Sequence, residues 1–122
     1  MPGWLKIKAK GRRVRREPGV MNGLEKKYAA YLDQRKSAGE ILDWKFDEIT
    51  VKLAEFKCRL TVDFWILMAD RTIEAHDVKG HWEDDARVKI KVAADRHWWF
   101  TFVAVKAQAK KNGGGWDFER FE

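Results

Sequence analysis

Length and composition predict one globular domain of ordinary size. The chain has 122 residues, 45% hydrophobic and 36% charged, which excludes a disordered chain and leaves little room for a second domain. The single cysteine, Cys58, excludes an intramolecular disulfide. The longest apolar run, residues 64–69, is too short to cross a bilayer. We therefore expect a cytoplasmic protein without a membrane partner.

The excess positive charge is concentrated at the start of the chain. The formal net charge is +6, and residues 1–20 carry seven basic side chains against one acidic side chain, so the remainder is balanced. Binding to a polyanion such as nucleic acid is favoured for such an arm by counterion release, and a solvated tail is the alternative. The basic residues are Lys6, Lys8, Lys10, Arg12, Arg13, Arg15 and Arg16.

Hydrophobic periodicity and turn residues predict the elements in chain order. A Pro-Gly break at residues 18–19 ends the arm. The domain then covers residues 21–111, and a Gly-rich joint leads into an aromatic tail over residues 112–122 that docks on the sheet. The predicted elements are a helix over 23–38 capped by Asn22, strands over 44–53, 57–68 and 72–79, a helix over 83–96, and a strand over 98–105 whose Trp98 and Trp99 belong to the core. This order predicts an α/β fold with a mixed central sheet flanked by helices.

Two acidic residues meet in the predicted hairpin between the second and third strands. A three-residue loop at residues 69–71 places Asp63 directly opposite Asp77, with Cβ atoms about 4.5–5.5 Å apart on one face. Lys79 lies two residues beyond Asp77 and shares that face. Mg²⁺ prefers carboxylate oxygens, so the cluster is consistent with a metal site. A surface salt-bridge arrangement is the alternative.

These residues carry a resemblance to a known family. The VDF of residues 62–64 and the DVKG of residues 77–80 resemble the PD-(D/E)XK nuclease signature. The NGLEKK of residues 22–27 and the DVKGHWEDDAR of residues 77–87 resemble the phage endonuclease I family of Holliday-junction resolvases. The similarity covers residues 22–105. That family usually has Pro where Val62 stands and Glu where Asp77 stands, and Asp keeps the charge on a shorter stem.

The resemblance implies a fold, a cofactor and an assembly. It implies a restriction-endonuclease-like core in which Glu25, Asp63 and Asp77 bind Mg²⁺ or Mn²⁺ and Lys79 orients or activates the attacking water. It also implies a symmetric homodimer, with the first helix a candidate for exchange between subunits. From the residues alone, Glu25 is predicted to be a solvent-facing helical residue that pairs with a neighbouring Lys.

We therefore expect a metal-dependent DNA endonuclease of a phage or phage-like element that resolves four-way junctions. The basic arm would bind the DNA, and His81 and Lys89 would add contacts near the site. His76 and Glu74 fall on the opposite face of their strand and are not expected to be ligands. The alternatives are a nuclease of the same fold that cuts plain duplex or single-stranded DNA, and a DNA-binding module without catalysis.

Overall fold

The computed structural model describes residues 19–122, and the basic residues of the arm up to Arg16 lie outside that range. Two helices and seven strands follow one another in the described part. They are α1 (Gly23–Ser37), β1 (Ile41–Phe46), β2 (Thr50–Ala54), β3 (Cys58–Thr61), β4 (Phe64–Met68), β5 (Ile73–Lys79), α2 (Asp84–Arg96), β6 (Thr101–Ala107) and β7 (Trp116–Phe121). A short 3₁₀ turn, Lys110–Asn112, precedes β7.

Five strands form a mixed sheet in the order β1-β4-β5-β6-β7, and β2 and β3 form a separate hairpin. The pair β5 and β6 is parallel, with α2 in the connection between them, and the other neighbours in the sheet are antiparallel. Alternate residues of β4 and β6 build two cores. Phe64 and Val103 belong to the core that includes α1, and Trp65 and Phe102 belong to the core that includes α2 and the hairpin. The predicted α/β fold with a mixed sheet flanked by helices is confirmed.

Helix α1 begins where the sequence predicts. The Asn22 side chain accepts a hydrogen bond from the Glu25 backbone N–H at 2.8 Å, and the Glu25 side chain accepts one from the Asn22 N–H at 3.0 Å. This reciprocal capping box satisfies two backbone donors that the first turn would otherwise leave unpaired. Neither helix of the described part has the length and apolar character that a membrane crossing requires.

The hairpin formed by β4 and β5 has the predicted register. Phe64 pairs with His76 and Leu67 with Ile73 around the loop at residues 69–71, and Asp70 closes that loop by accepting hydrogen bonds from Thr72. The strand predicted over residues 57–68 is instead two strands, β3 and β4, which are separated by Val62 and Asp63.

Two expectations about aromatic segments change. Residues 97–100 form a turn rather than the start of a strand, so Phe100 packs on Trp65 with ring centroids 5.2 Å apart. Trp98 and Trp99 are exposed, and the prediction that they belong to the core is wrong. The aromatic tail forms β7 and pairs along β6. It therefore docks on the sheet, as expected, by forming an edge strand.

Candidate active site

The candidate site lies on the α2 side of β5, where the strand ends. Side chains of a strand alternate between faces, so Asp77 and Lys79 share the side on which α2 and the hairpin pack. They line a cleft of about 350 Å³ together with His81 and Lys89. Leu60 of β3 and Ile90 of α2 form the apolar part of its wall. Four of the sequence-predicted site residues thus share one cavity.

Asp63 is held against β5 by the backbone of both strands. The Val78 N–H donates to Asp63 Oδ2 at 2.9 Å, and the Asp63 N–H donates to Asp77 Oδ1 at 3.2 Å. Both carboxylates are buried. The break between β3 and β4 therefore coincides with Asp63, which bonds to β5 through its side chain as well as its backbone.

The surroundings of Asp63 disfavour its charged form. Burial raises the pKa of Asp63 to about 8, and the charges of Asp77 and Glu25 act in the same direction. The Val78 N–H and Lys79 oppose this rise without cancelling it. A carboxyl group in this state favours a proton or a nearby cation, because either one removes the repulsion from its neighbour.

Lys79 is the cation closest to this pair in the described chain. Its Nζ lies 3.2 Å from Asp77 Oδ2. Burial alone would lower the pKa of Lys79, but the charges of Asp77 and Asp63 outweigh it and raise that pKa, so the ammonium stays protonated. The Trp82 ring lies 5.3 Å from Lys79 Nζ, and its indole N–H donates to the Val105 carbonyl at 3.0 Å. Trp82 thus supports the ammonium by a cation–π contact.

Glu25 reaches the same region from α1. It is buried, and its charge acts on both Asp63 and Lys79. The alternative of a solvent-facing helical residue is therefore wrong for Glu25. Its carboxylate both closes the capping box of α1 and contributes to the electrostatic field of the site.

The fit to a divalent metal rests on Asp63 and Asp77. Within residues 19–122, no group of three or more His, Cys, Asp or Glu side chains has the arrangement of a metal site, so the ligand set that includes Glu25 is not assembled. Mg²⁺ does not require such a cage, because it commonly binds one or two carboxylates and completes its shell with water and substrate phosphate. Asp77 lines the cleft, and Asp63, which does not line it, is bonded to Asp77 through its N–H. These two carboxylates are the donors that the residues offer such an ion.

The other side of β5 carries a polar network that the sequence did not predict. His76 Nδ1 lies 2.6 Å from the Tyr28 hydroxyl oxygen, and His76 Nε2 lies 2.8 Å from Glu74 Oε1. Arg120 of β7 donates to Glu74 Oε2 at 2.7 Å. The expectation that His76 and Glu74 face away from Asp77 is confirmed. Alternation along β5 separates the two groups, but no local signal connects His76 to Tyr28 or Glu74 to Arg120.

The chain was compared with known proteins at the level of family, sequence and fold. No protein-family model, curated protein or solved structure matches the chain. The resemblance to the phage endonuclease I family therefore rests on the motif residues alone.

Proposed function

We propose that this chain is a divalent-metal-dependent DNA endonuclease with a restriction-endonuclease-like core, whose preferred substrate is branched DNA such as a four-way junction. The observation that carries the proposal is the buried pair of Asp63 and Asp77 beside Lys79 at an open cleft. A carboxyl group buried beside a second one favours a proton or a bound cation over its free charged form. Such a group beside a solvent-accessible cleft is typical of a functional site.

The side chains at the cleft would have different roles in phosphodiester hydrolysis. Asp63 and Asp77 would hold Mg²⁺ or Mn²⁺, with the charge of Glu25 beside them. When bound, such an ion stabilises charge developing on the phosphate and lowers the pKa of a coordinated water. Lys79 orients the attacking water and places a positive charge near the phosphate, as the water oxygen bonds to phosphorus and the bond to the leaving sugar oxygen breaks.

Substrate contacts would come from cations around the cleft and from the arm. His81 and Lys89 line the cleft that holds Asp77, where phosphate contacts would fix the position of the DNA strand. The basic arm would add salt-sensitive binding to the same polyanion. Resolution of a junction requires two symmetric nicks, which fits a homodimer with two such sites, acting in the cytoplasm of the host cell.

The test compares a labelled immobile four-way junction with a matched linear duplex and a single strand. The purified full-length protein is incubated with each substrate in Mg²⁺ and in EDTA, next to Asp77→Asn. Paired nicks in the junction alone, absent in EDTA and in the variant, are the expected result. Asp77→Asn keeps an oxygen that can accept the Asp63 N–H, so it removes the charge with little change of shape.

Each other result selects an alternative. Equal cleavage of all substrates would leave a nuclease of this fold without junction preference. Metal-independent binding without cleavage, unchanged in Asp77→Asn, would contradict the enzyme and favour a DNA-binding module.

A further inference from the structure

The corner of the molecule where α2 meets the β2–β3 hairpin exposes three aromatic rings. Phe56 is 87% exposed, Trp98 75% and Trp99 70%, the highest values among the large hydrophobic side chains of residues 19–122. We refer to these three residues as the aromatic corner. Exposed rings of this size are uncommon on a protein surface, and their grouping indicates a binding surface.

Contacts between the hairpin and the end of α2 bring the rings into one region. His97 Nε2 lies 2.6 Å from the Lys52 carbonyl oxygen of β2, and Trp98 and Trp99 follow His97 directly. Their rings lie 5.5 Å apart at an angle of 30°. Arg96, on the last turn of α2, lies close enough to Glu55 for its charge to lower the pKa of that carboxyl, although Lys52 has the larger effect. Phe56 is the residue after Glu55.

Charged side chains lie on the elements that carry these rings. Lys52 pairs directly with Arg59 across the hairpin, and both are exposed. Two like charges in that arrangement are unfavourable, and Glu55 relieves them in part by contacting Lys52 Nζ at 2.6 Å. Across the hairpin and the adjoining turn of α2, the cations are Lys52, Lys57, Arg59 and Arg96, and the acids are Glu55 and Asp95. Trp98 also lines a cavity with Asp95, Arg120 and Glu122. With these included, cations still outnumber acids on this surface, which favours an anionic ligand.

The hairpin turn keeps an aromatic residue where backbone geometry favours glycine or asparagine. Phe56 and Lys57 both have a φ of 63°, in the left-handed region that tight hairpins usually fill with Asn-Gly. The Phe56 ring is almost fully exposed, so packing in the interior does not offset this backbone strain. A role in contact with a ligand explains the choice of residue.

The aromatic corner adjoins the candidate active site through shared elements. Leu60 of β3 and Lys89 of α2 line the cleft that contains Asp77. Phe56 lies just before β3, and Trp98 and Trp99 lie just after α2. A strand leaving the cleft along the hairpin would meet the rings.

We propose that the aromatic corner binds unpaired nucleotides of DNA, with bases stacked on Trp98, Trp99 and Phe56 and phosphates contacted by Lys57, Arg59 and Arg96. Base stacking on exposed rings next to cations is the usual means of binding single strands without sequence preference. The inference rests on the proposed function in taking DNA as the ligand, and it assigns to this surface the strand that a branch point leaves unpaired.

The test measures binding of a fluorescein-labelled oligothymidylate to the full-length protein in EDTA, by anisotropy over a range of salt concentrations. The double variant Trp98→Ala/Trp99→Ala is expected to bind about 10- to 100-fold more weakly at every salt concentration. The slope of log affinity against log salt is expected to stay unchanged, because no charge is removed. Arg59→Ala is expected to reduce that slope by about 0.7.

Two control variants and one further test variant make the result specific. Val88→Ala removes another exposed apolar side chain of α2 and is expected to bind as wild type. Trp98→Phe/Trp99→Phe keeps two stacking faces and is expected to retain most of the affinity. Phe56→Ala, at a tip remote from both cores, gives the same readout if the double tryptophan variant does not fold.

Wild-type affinity in the tryptophan and Phe56 variants would overturn the inference. A dimer that becomes a monomer in Trp98→Ala/Trp99→Ala, with oligonucleotide affinity unchanged, would instead assign the surface to contact between protein copies. Cleavage of the four-way junction in Mg²⁺ is measured separately on the same proteins. Tryptophan-dependent binding without any cleavage would contradict the nuclease and leave the nucleotide-binding surface in place.

Discussion

The two sides of strand β5 carry polar groups of opposite character. On the α1 side, Glu74 and His76 are buried and have partners within hydrogen-bond distance from two other elements. On the α2 side, Asp63 and Asp77 are buried together. Burial and the charge of Asp77 both disfavour ionisation of Asp63, and Lys79 opposes this only in part. The first side resembles a structural network and the second a site prepared for a cation.

The difference shows how one strand can serve stability and chemistry at once. A buried carboxylate such as Glu74 that accepts hydrogen bonds from an arginine and a histidine holds elements together. A buried carboxylate such as Asp63 whose nearest titratable neighbour is another carboxylate stores unfavourable free energy that a bound ion can release. Substitutions on the two sides should therefore change stability in opposite directions.

The largest expected effect is on the α2 side. Asp63→Asn should reduce Mg²⁺-dependent cleavage about a thousandfold, because it removes a charge that holds the metal against the phosphate. In EDTA at neutral pH, its midpoint of thermal unfolding should equal or exceed that of wild type, since the cost of burying the Asp63 carboxyl beside Asp77 is gone. Cleavage assays and thermal melts on the same preparation measure both quantities.

Metal addition sharpens this comparison. Mg²⁺ at about 100 times its dissociation constant should stabilise the wild-type fold by about 2.7 kcal/mol, and it should not stabilise Asp63→Asn. An equal shift of both melting curves would show that the ion binds elsewhere and would remove the distinction between the two sides of β5.

The α1 side should respond with a loss of stability that depends on pH. Burial would raise the pKa of Glu74, but hydrogen bonds from His76 and Arg120 outweigh it and lower that pKa to about 2. A depressed pKa contributes stability above the unfolded value of 4.5, and that contribution is lost as the pH falls toward 2. Glu74→Gln should therefore cost about 2 kcal/mol at neutral pH.

Chemical denaturation at several pH values measures this effect. The difference between Glu74→Gln and wild type should shrink between pH 4.5 and 2, the window that the shifted pKa of Glu74 defines. The Mg²⁺-dependent cleavage rate, measured at neutral pH, should change little. A difference in stability that stays constant across that range would contradict the role of the Glu74 charge.

The smallest expected effect separates the two roles of Glu25. Asn22→Ala removes the acceptor for the Glu25 N–H and should cost about 1 kcal/mol of stability with a modest change in cleavage. Glu25→Gln keeps an oxygen that can accept the Asn22 N–H, so it should leave stability nearly unchanged while cleavage falls. Equal losses of cleavage in both variants would indicate that Glu25 acts only through the cap.

Local sequence signals were sufficient for the elements that meet at the site. Asn22 predicts the start of α1, and the short loop at residues 69–71 sets the register that places Asp63 near Asp77. Both are short-range properties, because a cap spans one turn and a tight hairpin fixes its own pairing. The split between β3 and β4 escaped prediction, since it coincides with a hydrogen bond from Val78 on another strand.

Long-range packing accounts for what sequence patterns missed. Tyr28 and Arg120 reach His76 and Glu74 from far along the chain, and pairing of β7 with β6 depends on a sheet that must already exist. Residues 98–105 are apolar at odd and even positions, which predicts a strand buried on both faces and places Trp98 and Trp99 in the core. The turn after α2 instead gives that place to Phe100.

The separation of the β2–β3 hairpin from the main sheet has a consequence for local motion. Its strands pair with each other and with no strand of the five-stranded sheet, so their amides share no ladder with β5 or β6. Amide protons of the hairpin should exchange with deuterium before those of β5, which lies between two neighbours. The wall of the cleft that carries Leu60 can therefore open while the strand that carries Asp77 stays folded.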